Sequence, residues 1–194
     1  MTVLLAKLIW VCGVIGWYVI RYRFARRSKK IVIIRRDHKL RESILLAISA
    51  TGLGVLPGLY VLIPVVTAAD YSMQAWQPWI GGLIFGLSLY IFRQTHRALG
   101  RNWSVTLEVR EQHALITDGI YKFVRHPMYT AFWLWALAQA FLIPNAVVGP
   151  AGLVGFGTLY FFRVKKEESL MLETFGDEYR AYVKRTGRLV PRVY

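Results

Sequence analysis

The sequence predicts an all-α integral membrane protein with five transmembrane helices, and three observations support this fold class. Of the 194 residues, 55% are hydrophobic, which is more than a soluble domain usually carries. The apolar residues are concentrated in five long stretches. Lysine and arginine residues are instead gathered in alternate connections between those stretches. We therefore expect residues 1–194 to form a single membrane domain.

The five apolar stretches are predicted to be membrane-spanning helices, because a hydrocarbon layer of about 30 Å requires about 20 apolar residues in a helix. The first three approach this length, and they lie within residues 1–92. The last two are shorter and are separated only by Pro144 and Asn145, so they are predicted to cross as a helical hairpin. The stretches are Val3–Ile20, Ser43–Thr67, Trp76–Phe92, Tyr129–Ile143 and Ala146–Phe162.

The first and second stretches carry further local signals. No basic segment precedes the first stretch and no small-residue cleavage site follows it, so we expect it to be a retained span. Within the second stretch, glycine and proline residues predict a kink or a close approach to another helix. These residues are Gly52, Gly54, Pro57, Gly58 and Pro64.

The basic residues predict the orientation of the spans. Ten lie in the segment Arg21–Arg41, six between Arg93 and Arg125, and eight from Arg163 onward, whereas the other two connections contain none. By the positive-inside rule, this alternation places the N-terminus outside and the C-terminal segment in the cytoplasm. The net charge of +14 does not indicate nucleic-acid binding, because the basic residues form no continuous stripe. The segment Arg21–Arg41 is also a candidate to contact anionic lipids.

Two polar segments on the predicted cytoplasmic side are candidates for a functional site. The first, residues 111–129, contains a turn signal at residues 117–119 and Pro127, which suits the first turn of the fourth helix. His126 then lies at the helix start, where backbone N–H groups favour an anion such as the carboxylate of an amino-acid-like cofactor. The residues alone also permit a plain interfacial histidine.

The second polar segment follows the fifth stretch and is predicted to form a cytoplasmic C-terminal helix. Arg163 and Glu167 are four residues apart, so they share one face of a continuous helix at the edge of the membrane. Such a pair is usually a weak surface salt bridge. At membrane depth, however, ionisable residues tend to mark substrate paths. The residues alone leave both interpretations open.

Together the two segments carry an ordered set of motifs. Residues 125–129 read Arg-His-Pro-Met-Tyr, and residues 115–121 before them read Leu-Ile-Thr-Asp-Gly-Ile-Tyr. The pair Glu167 and Glu168 and the string Phe-Gly-Asp-Glu-Tyr at residues 175–179 follow. This set resembles the isoprenylcysteine carboxyl methyltransferase family over about half of the chain.

The resemblance implies a catalytic core in residues 93–194 with a cytoplasm-facing site for S-adenosylmethionine, which is released as S-adenosylhomocysteine. It implies that Arg163 and Glu167 are catalytic and bind a lipophilic prenylated substrate that enters from the bilayer. Arg163 is expected to hold the substrate carboxylate, and Glu167 to orient Arg163. We expect a monomer in contact with membrane lipids, with no metal and no nucleic acid. The residues implied to line the cofactor site are His113, Ala114, Leu115, Ile116, Tyr121, His126, Pro127, Met128 and Tyr129.

Other interpretations stay open. A lipid-amine N-methyltransferase would use Glu167 as a base, because an amine must lose a proton to become a nucleophile. A nicotinamide-dependent membrane reductase is compatible with the lack of a glycine-rich dinucleotide motif, which is weak evidence against this class. A non-catalytic adaptor would act through the basic segment Arg21–Arg41.

Overall fold

The protein is represented by a computed structural model, and most of the described residues are helical. The structure describes residues 1–28, 33–36, 39–63, 66–100, 108–110 and 115–193. Helix α1 comprises Thr2–Ser28 and extends beyond the first predicted span. Two segments, Thr2–Phe24 and Leu40–Leu62, are long and apolar enough to cross a bilayer. They coincide with the first two predicted spans.

The second predicted span is helical but irregular, as its glycine and proline residues predict. Helix α2 (Lys39–Ala50) leads into a π-helical turn (Thr51–Val55), which continues as helix α3 (Leu56–Leu62). A π-helical turn uses i to i+5 hydrogen bonds in place of i to i+4, and it usually occurs as a single turn inside an α-helix. The expected departure from a regular helix is confirmed at this turn, and the helix ends at Leu62, before the predicted end of the span. Pro64 lies outside the described residues.

The other three predicted spans also coincide with helices. These are α4 (Gln77–Leu99), α5 (Pro127–Leu142) and α6 (Val148–Arg185). Helices α5 and α6 pack against each other across a short turn, as expected for a hairpin. The C-terminal helix is the continuation of α6, which is interrupted by Gly176 with a φ of 52°. That these three helices cross a membrane remains a prediction.

Short elements complete the fold. A 3₁₀ turn at Thr67–Ala69 precedes α4, and another at Gly119–Lys122 precedes α5. Strand β1 (Ile33–Arg36) pairs in antiparallel fashion with strand β2 (Glu108–Arg110). This short pairing was not predicted, but the fold is otherwise helical in the described residues, as the all-α prediction states. The β-branched residues at the start of β1 favour a strand, although the span pattern gave no reason to expect one.

The helices pack around an aromatic interior. Helix α4 packs against both α1 and α5, and α2 packs along α6. Phe85 and Trp135 are buried with ring centroids 5.3 Å apart. Large apolar side chains also lie on the outside, where Leu62 and Leu83 are 81% and 77% exposed. An apolar outer surface suits a lipid environment, because lipid tails are as apolar as leucine.

Helix α2 and the π-helical turn lie very close to α6, and this contact depends on glycine. A Cβ at Gly52 would lie 2.3 Å from the carbonyl oxygen of Ala151, and one at Gly155 would lie 2.8 Å from that of Ile48. The buried Gln139 of α5 donates a hydrogen bond from Nε2 to the Gly52 carbonyl at 3.0 Å. These contacts fix the position of α2 along α6, with the two helices running in opposite directions.

The turn between α5 and α6 is held by Asn145, which is fully buried. Its Oδ1 accepts hydrogen bonds from the backbone N–H groups of Val147 and Val148, so it caps the start of α6. Its Nδ2 donates to Oδ1 of Asp70 at 2.7 Å, and Asp70 also accepts from the Tyr60 hydroxyl at 2.9 Å. The hairpin is thereby tied to the segment that follows α3.

Candidate active site

Residues just before α5 pair with residues just after α6. The Arg125 N–H donates to the Gly187 carbonyl at 2.9 Å, and the His126 N–H donates to the Arg188 carbonyl at 3.1 Å. In the other direction, the Gly187 N–H donates to the Phe123 carbonyl at 3.3 Å. These bonds hold the segment that follows α6 against the start of α5.

Glu168 of α6 is the centre of an ionic cluster formed by the same segments. Its Oε1 accepts hydrogen bonds from Arg125 Nε at 2.8 Å and from His126 Nε2 at 3.2 Å. Arg188 donates to both carboxylate oxygens, at 3.1 Å and 2.6 Å. Arg125 also donates to the Thr186 carbonyl at 2.6 Å. One carboxylate therefore joins the start of α5, the middle of α6 and the segment after it.

The surroundings of Glu168 keep it ionised. Burial alone would raise the pKa of this carboxyl group, but hydrogen bonds from His126, Arg125 and Arg188 outweigh that effect and lower its pKa to about 2. An ionised carboxylate only accepts hydrogen bonds, so Nε2 of His126 must carry a proton. Glu168 thus fixes both the orientation and the donor nitrogen of the imidazole.

The start of α5 has the features expected of an anion site. Pro127 is at the first helical position, as predicted, and the His126 side chain makes no capping hydrogen bond to the helix. Helix starts carry N–H groups without helical partners and the positive end of the helix dipole. The rings of His126 and Tyr129 are stacked, with centroids 5.4 Å apart and an interplanar angle of 18°.

A second ionic cluster lies one helical turn closer to the start of α6. Arg163 Nε is 3.9 Å from Glu167 Oε2, so the two residues share a helix face as predicted. Arg163 Nη2 is 3.4 Å from Oε1 of Glu42 in α2. The Tyr129 hydroxyl donates a hydrogen bond to Glu167. The side chain of Arg163 is only 11% exposed, so the pair is not a surface salt bridge.

The structure brings four of the nine predicted cofactor residues together at the start of α5: His126, Pro127, Met128 and Tyr129. Three others belong to the preceding loop. Leu115 and Ile116 are half-buried, and the carbonyl of Tyr121 accepts a hydrogen bond from Tyr182 at 2.8 Å. Burial and the nearby charge of Glu167 raise the pKa of Tyr121, which is therefore a neutral phenol. The remaining two, His113 and Ala114, lie outside the described residues.

Four residues of the two clusters were not singled out from the sequence: Glu42, Arg125, Glu168 and Arg188. Glu168 stands beside Glu167 in the motif that carries the resemblance, and Arg125 stands beside His126 in the other motif. Glu42 offers a weaker signal, since it and Asp37 are the only acidic residues before Asp70. Nothing in the local sequence marks Arg188.

The chemistry available to the clusters is electrostatic. Within the described part of the chain, no group of three or more histidine, cysteine, aspartate or glutamate side chains is placed to hold a metal ion. Arg163 provides a positive charge of a shape that suits a carboxylate. Glu167 and Glu42 provide negative charges beside it. This arrangement can hold an anionic group next to a cationic one.

Comparison with known proteins gives a consistent result. Residues 81–173 match the model of the isoprenylcysteine carboxyl methyltransferase (ICMT) family. Protein-S-isoprenylcysteine O-methyltransferase B of Arabidopsis thaliana is 30% identical over 127 residues, which are 62% of this chain and 62% of that protein. The Schizosaccharomyces pombe protein-S-isoprenylcysteine O-methyltransferase is 35% identical over 83 residues, or 43% of this chain and 35% of that protein.

A solved structure has a similar fold. It is the eukaryotic intramembrane Ras methyltransferase ICMT, with a TM-score of 0.55 and 24% identity, and the similarity covers 81% of this chain and 54% of that one. The chain thus spans about a third to two thirds of the length of these relatives. Residues 81–173, just under half of the chain, are therefore similar to the isoprenylcysteine carboxyl methyltransferase family.

Proposed function

We propose that this protein transfers a methyl group from S-adenosylmethionine to the C-terminal carboxylate of a prenylated cysteine, and so forms a methyl ester. The observation that carries the proposal is the position of Arg163. Its guanidinium is buried between two carboxylates at the end of the predicted fifth span. Tyr129 connects this cluster to the start of α5 through Glu167. A carboxylate acceptor and a cationic methyl donor both find complementary charges there.

The residues at the start of α5 fit the proposed cofactor. S-adenosylmethionine has a carboxylate, an aromatic base and a sulfonium, so it needs an anion site, an apolar or aromatic wall and a negative charge. The uncapped start of α5 suits the carboxylate, and the stacked rings of His126 and Tyr129 provide an aromatic wall. Glu167 suits the sulfonium. When bound, S-adenosylmethionine supplies an electrophilic methyl group.

The chain's own residues then have three tasks: binding, orientation and exclusion of water. Arg163 binds the acceptor carboxylate, Glu167 orients Arg163, and the aromatic side chains around Tyr129 exclude water. No residue needs to remove a proton, because an α-carboxyl group has a pKa of about 3.3–3.7 and is ionised at neutral pH. Alignment of reacting groups can lower a barrier by about 7–11 kcal/mol, which makes it the main source of rate enhancement here.

The same proposal places the protein in the membrane with five spans, the N-terminus outside and the site at the cytoplasmic face. Support comes from the alternation of basic connections, from the two long apolar helices, and from the coincidence of the other three predicted spans with α4, α5 and α6. The site would then lie where a prenyl chain in the bilayer and a polar cofactor in the cytoplasm can meet. We propose that a monomer is sufficient for this reaction.

The first experiment is calorimetric titration of the detergent-purified protein with S-adenosylmethionine, with a reduced nicotinamide cofactor as comparison. Methyl transfer to an S-prenylcysteine and to a lipid amine is then measured. Binding of S-adenosylmethionine with transfer to the carboxylate acceptor is the expected result. Transfer to the amine alone would replace the proposal with the lipid-amine N-methyltransferase. Binding of the nicotinamide alone would replace it with the reductase.

Two variants test the division of roles. We expect Arg163→Ala to abolish transfer while the affinity for S-adenosylmethionine stays within about threefold, because Arg163 is assigned to the acceptor. We expect His126→Ala to weaken cofactor binding by up to about tenfold, because it removes one ring of the proposed aromatic wall and an aromatic pair contributes about 0.5–1.5 kcal/mol. Glu173→Gln, at an exposed position of α6 outside the motifs, is the control. Equal loss of cofactor binding in both variants would contradict the assignment.

A further inference from the structure

Glu42 links the site to a part of the chain that the family match does not include. It lies near the start of α2, outside residues 81–173, yet its carboxylate faces Arg163 Nη2 at 3.4 Å. The side chains of Glu42 and Arg163 are 10% and 11% exposed, so water screens the pair only weakly. The proposed acceptor-binding arginine therefore has a negatively charged neighbour on a different helix.

The position of Glu42 is set by the packing of α2 on α6. Gly52 lies against Ala151, and Ile48 lies against Gly155, so the two helices run in opposite directions at close range. From Ile48 back to Glu42 is six residues, about 9 Å of helix at about 1.5 Å per residue, and from Gly155 to Arg163 is eight, or about 12 Å. The glycine contact thus brings Glu42 and Arg163 to within about 3 Å of the same level along the helices, a difference that their long side chains span.

Two carboxylates lie beside the Arg163 guanidinium. Its contacts with Glu42 and Glu167 are 3.4 Å and 3.9 Å long. The donor–acceptor distance in a charge-assisted hydrogen bond is about 2.7–2.9 Å, so both of these nitrogen–oxygen distances are longer than a direct hydrogen bond. Both carboxylates still lower the positive potential that an incoming anion would meet at the guanidinium. Glu167 is also bound by the Tyr129 hydroxyl, which withdraws part of its charge.

The consequence for catalysis follows from the charge changes of the reaction. A carboxylate oxygen forms a bond to the methyl carbon, the carbon–sulfur bond breaks, and its electron pair stays on sulfur. The carboxylate loses its negative charge along this path. A strong positive charge at Arg163 would therefore stabilise the bound acceptor more than the transition state, and would slow the reaction.

We propose that Glu42 is a positioning residue that weakens the hold of Arg163 on the acceptor carboxylate and so keeps that carboxylate nucleophilic. The inference rests on the proposed function, because it assigns the acceptor carboxylate to Arg163. It gives the N-terminal half a role in the reaction beyond membrane anchoring. It also gives Glu42 a role different from that of Glu167, which lies on the same helix as Arg163 and is proposed to orient it.

The test is Glu42→Gln, which removes the charge and keeps the size, with Glu173→Gln as a matched control at an exposed position of α6 outside the motifs. Affinities are measured for an N-acetyl-S-prenylcysteine and for its methyl ester, which has no carboxylate. We expect Glu42→Gln to bind the carboxylate compound about tenfold more tightly than the original protein does. Its affinity for the ester should stay within about twofold of the original value. KM and kcat for the carboxylate acceptor should both fall, each by about tenfold.

The outcomes separate the alternatives. Weaker binding of carboxylate and ester alike would overturn the inference, because it indicates a structural role for Glu42. A raised KM with unchanged kcat would overturn it too. If Glu42→Gln does not fold, Glu42→Asp keeps the charge but places it farther away, and a smaller change in the same direction is expected. If the original protein does not methylate the carboxylate acceptor, the proposed function itself fails. If it does, and Glu42→Gln has the same affinities, KM and kcat as the original protein, only the inference fails.

Discussion

Replacement of Glu168 by glutamine tests whether the first ionic cluster holds the site together. Glutamine keeps the shape of the side chain and one acceptor oxygen. It replaces the other oxygen with an amide N–H₂ that would face the donor groups of Arg188, now 2.6 Å from a carboxylate oxygen. The side chain of Arg125, which is 5% exposed, would lose its carboxylate partner. The variant therefore disturbs three donors with a single change of charge.

The size of the effect follows from burial. Loss of one partner of a fully buried pair costs about 3–5 kcal/mol, and hydrogen bonds to charged groups contribute about 1.5–3 kcal/mol each. Arg188 is 40% exposed, so water can replace its lost hydrogen bonds, and its contribution to the loss of stability is smaller. We expect a net loss of about 2–4 kcal/mol. At about 2–4 °C per kcal/mol for a chain of this size, the Tm should fall by about 5–15 °C.

The assay is thermal unfolding in detergent followed by tryptophan fluorescence, together with titration of S-adenosylmethionine. Glu173→Gln, which removes the same charge at an exposed position of α6, is the control. We expect Glu168→Gln also to weaken cofactor binding, since His126 loses the group that fixes its donor nitrogen. A Tm within about 2 °C of the control, with unchanged cofactor affinity, would refute the reasoning.

Two further predictions concern acid stability and helix packing. Because the folded-state pKa of Glu168 is lowered from 4.5 to about 2, its stabilising effect is complete above pH 4.5 and is lost as the pH falls toward 2. Across this pH range, the free energy of unfolding should fall more steeply with decreasing pH in the original protein than in Glu168→Gln. Separately, Gly52→Ala should destabilise the protein by about 1–3 kcal/mol, because its Cβ would lie 2.3 Å from the Ala151 carbonyl oxygen. Gly54→Ala, with nothing within 4 Å of its Cβ, should change stability by less than about 1 kcal/mol; similar losses in both would argue against the close contact.

The helices could be predicted from the sequence because hydrophobic stretches and helix-start signals are local. Pro127 began α5 as expected, and the glycine-rich second stretch contains an irregular turn. The i,i+4 relation of Arg163 and Glu167 was also predictable, since both lie on one helix. The pairing of β1 with β2 could not be predicted, because three helices separate the two strands along the chain.

The site was predictable only where its residues are close in sequence or belong to the resemblance. Glu42 and Arg163 are separated by most of the chain, and they meet only because α2 packs on α6 at a glycine contact. Arg188 reaches Glu168 because the segment after α6 folds back onto the start of α5. Contacts of this kind depend on how helices pack, and no periodicity in the sequence encodes them.

The return of the segment after α6 to the start of α5 also limits how the protein can be divided. The stretch that matches the family, residues 81–173, lacks Thr186, Gly187 and Arg188, which bond to Arg125 and Glu168. It lacks α2 as well, and with it Glu42. An excised fragment of that stretch would keep the Arg125–Glu168 and Arg163–Glu167 pairs but would lose the bond from Arg125 to the Thr186 carbonyl, the bonds from Arg188 to Glu168 and the contact of Arg163 with Glu42. The smallest unit able to assemble both clusters therefore extends from α2 through Arg188.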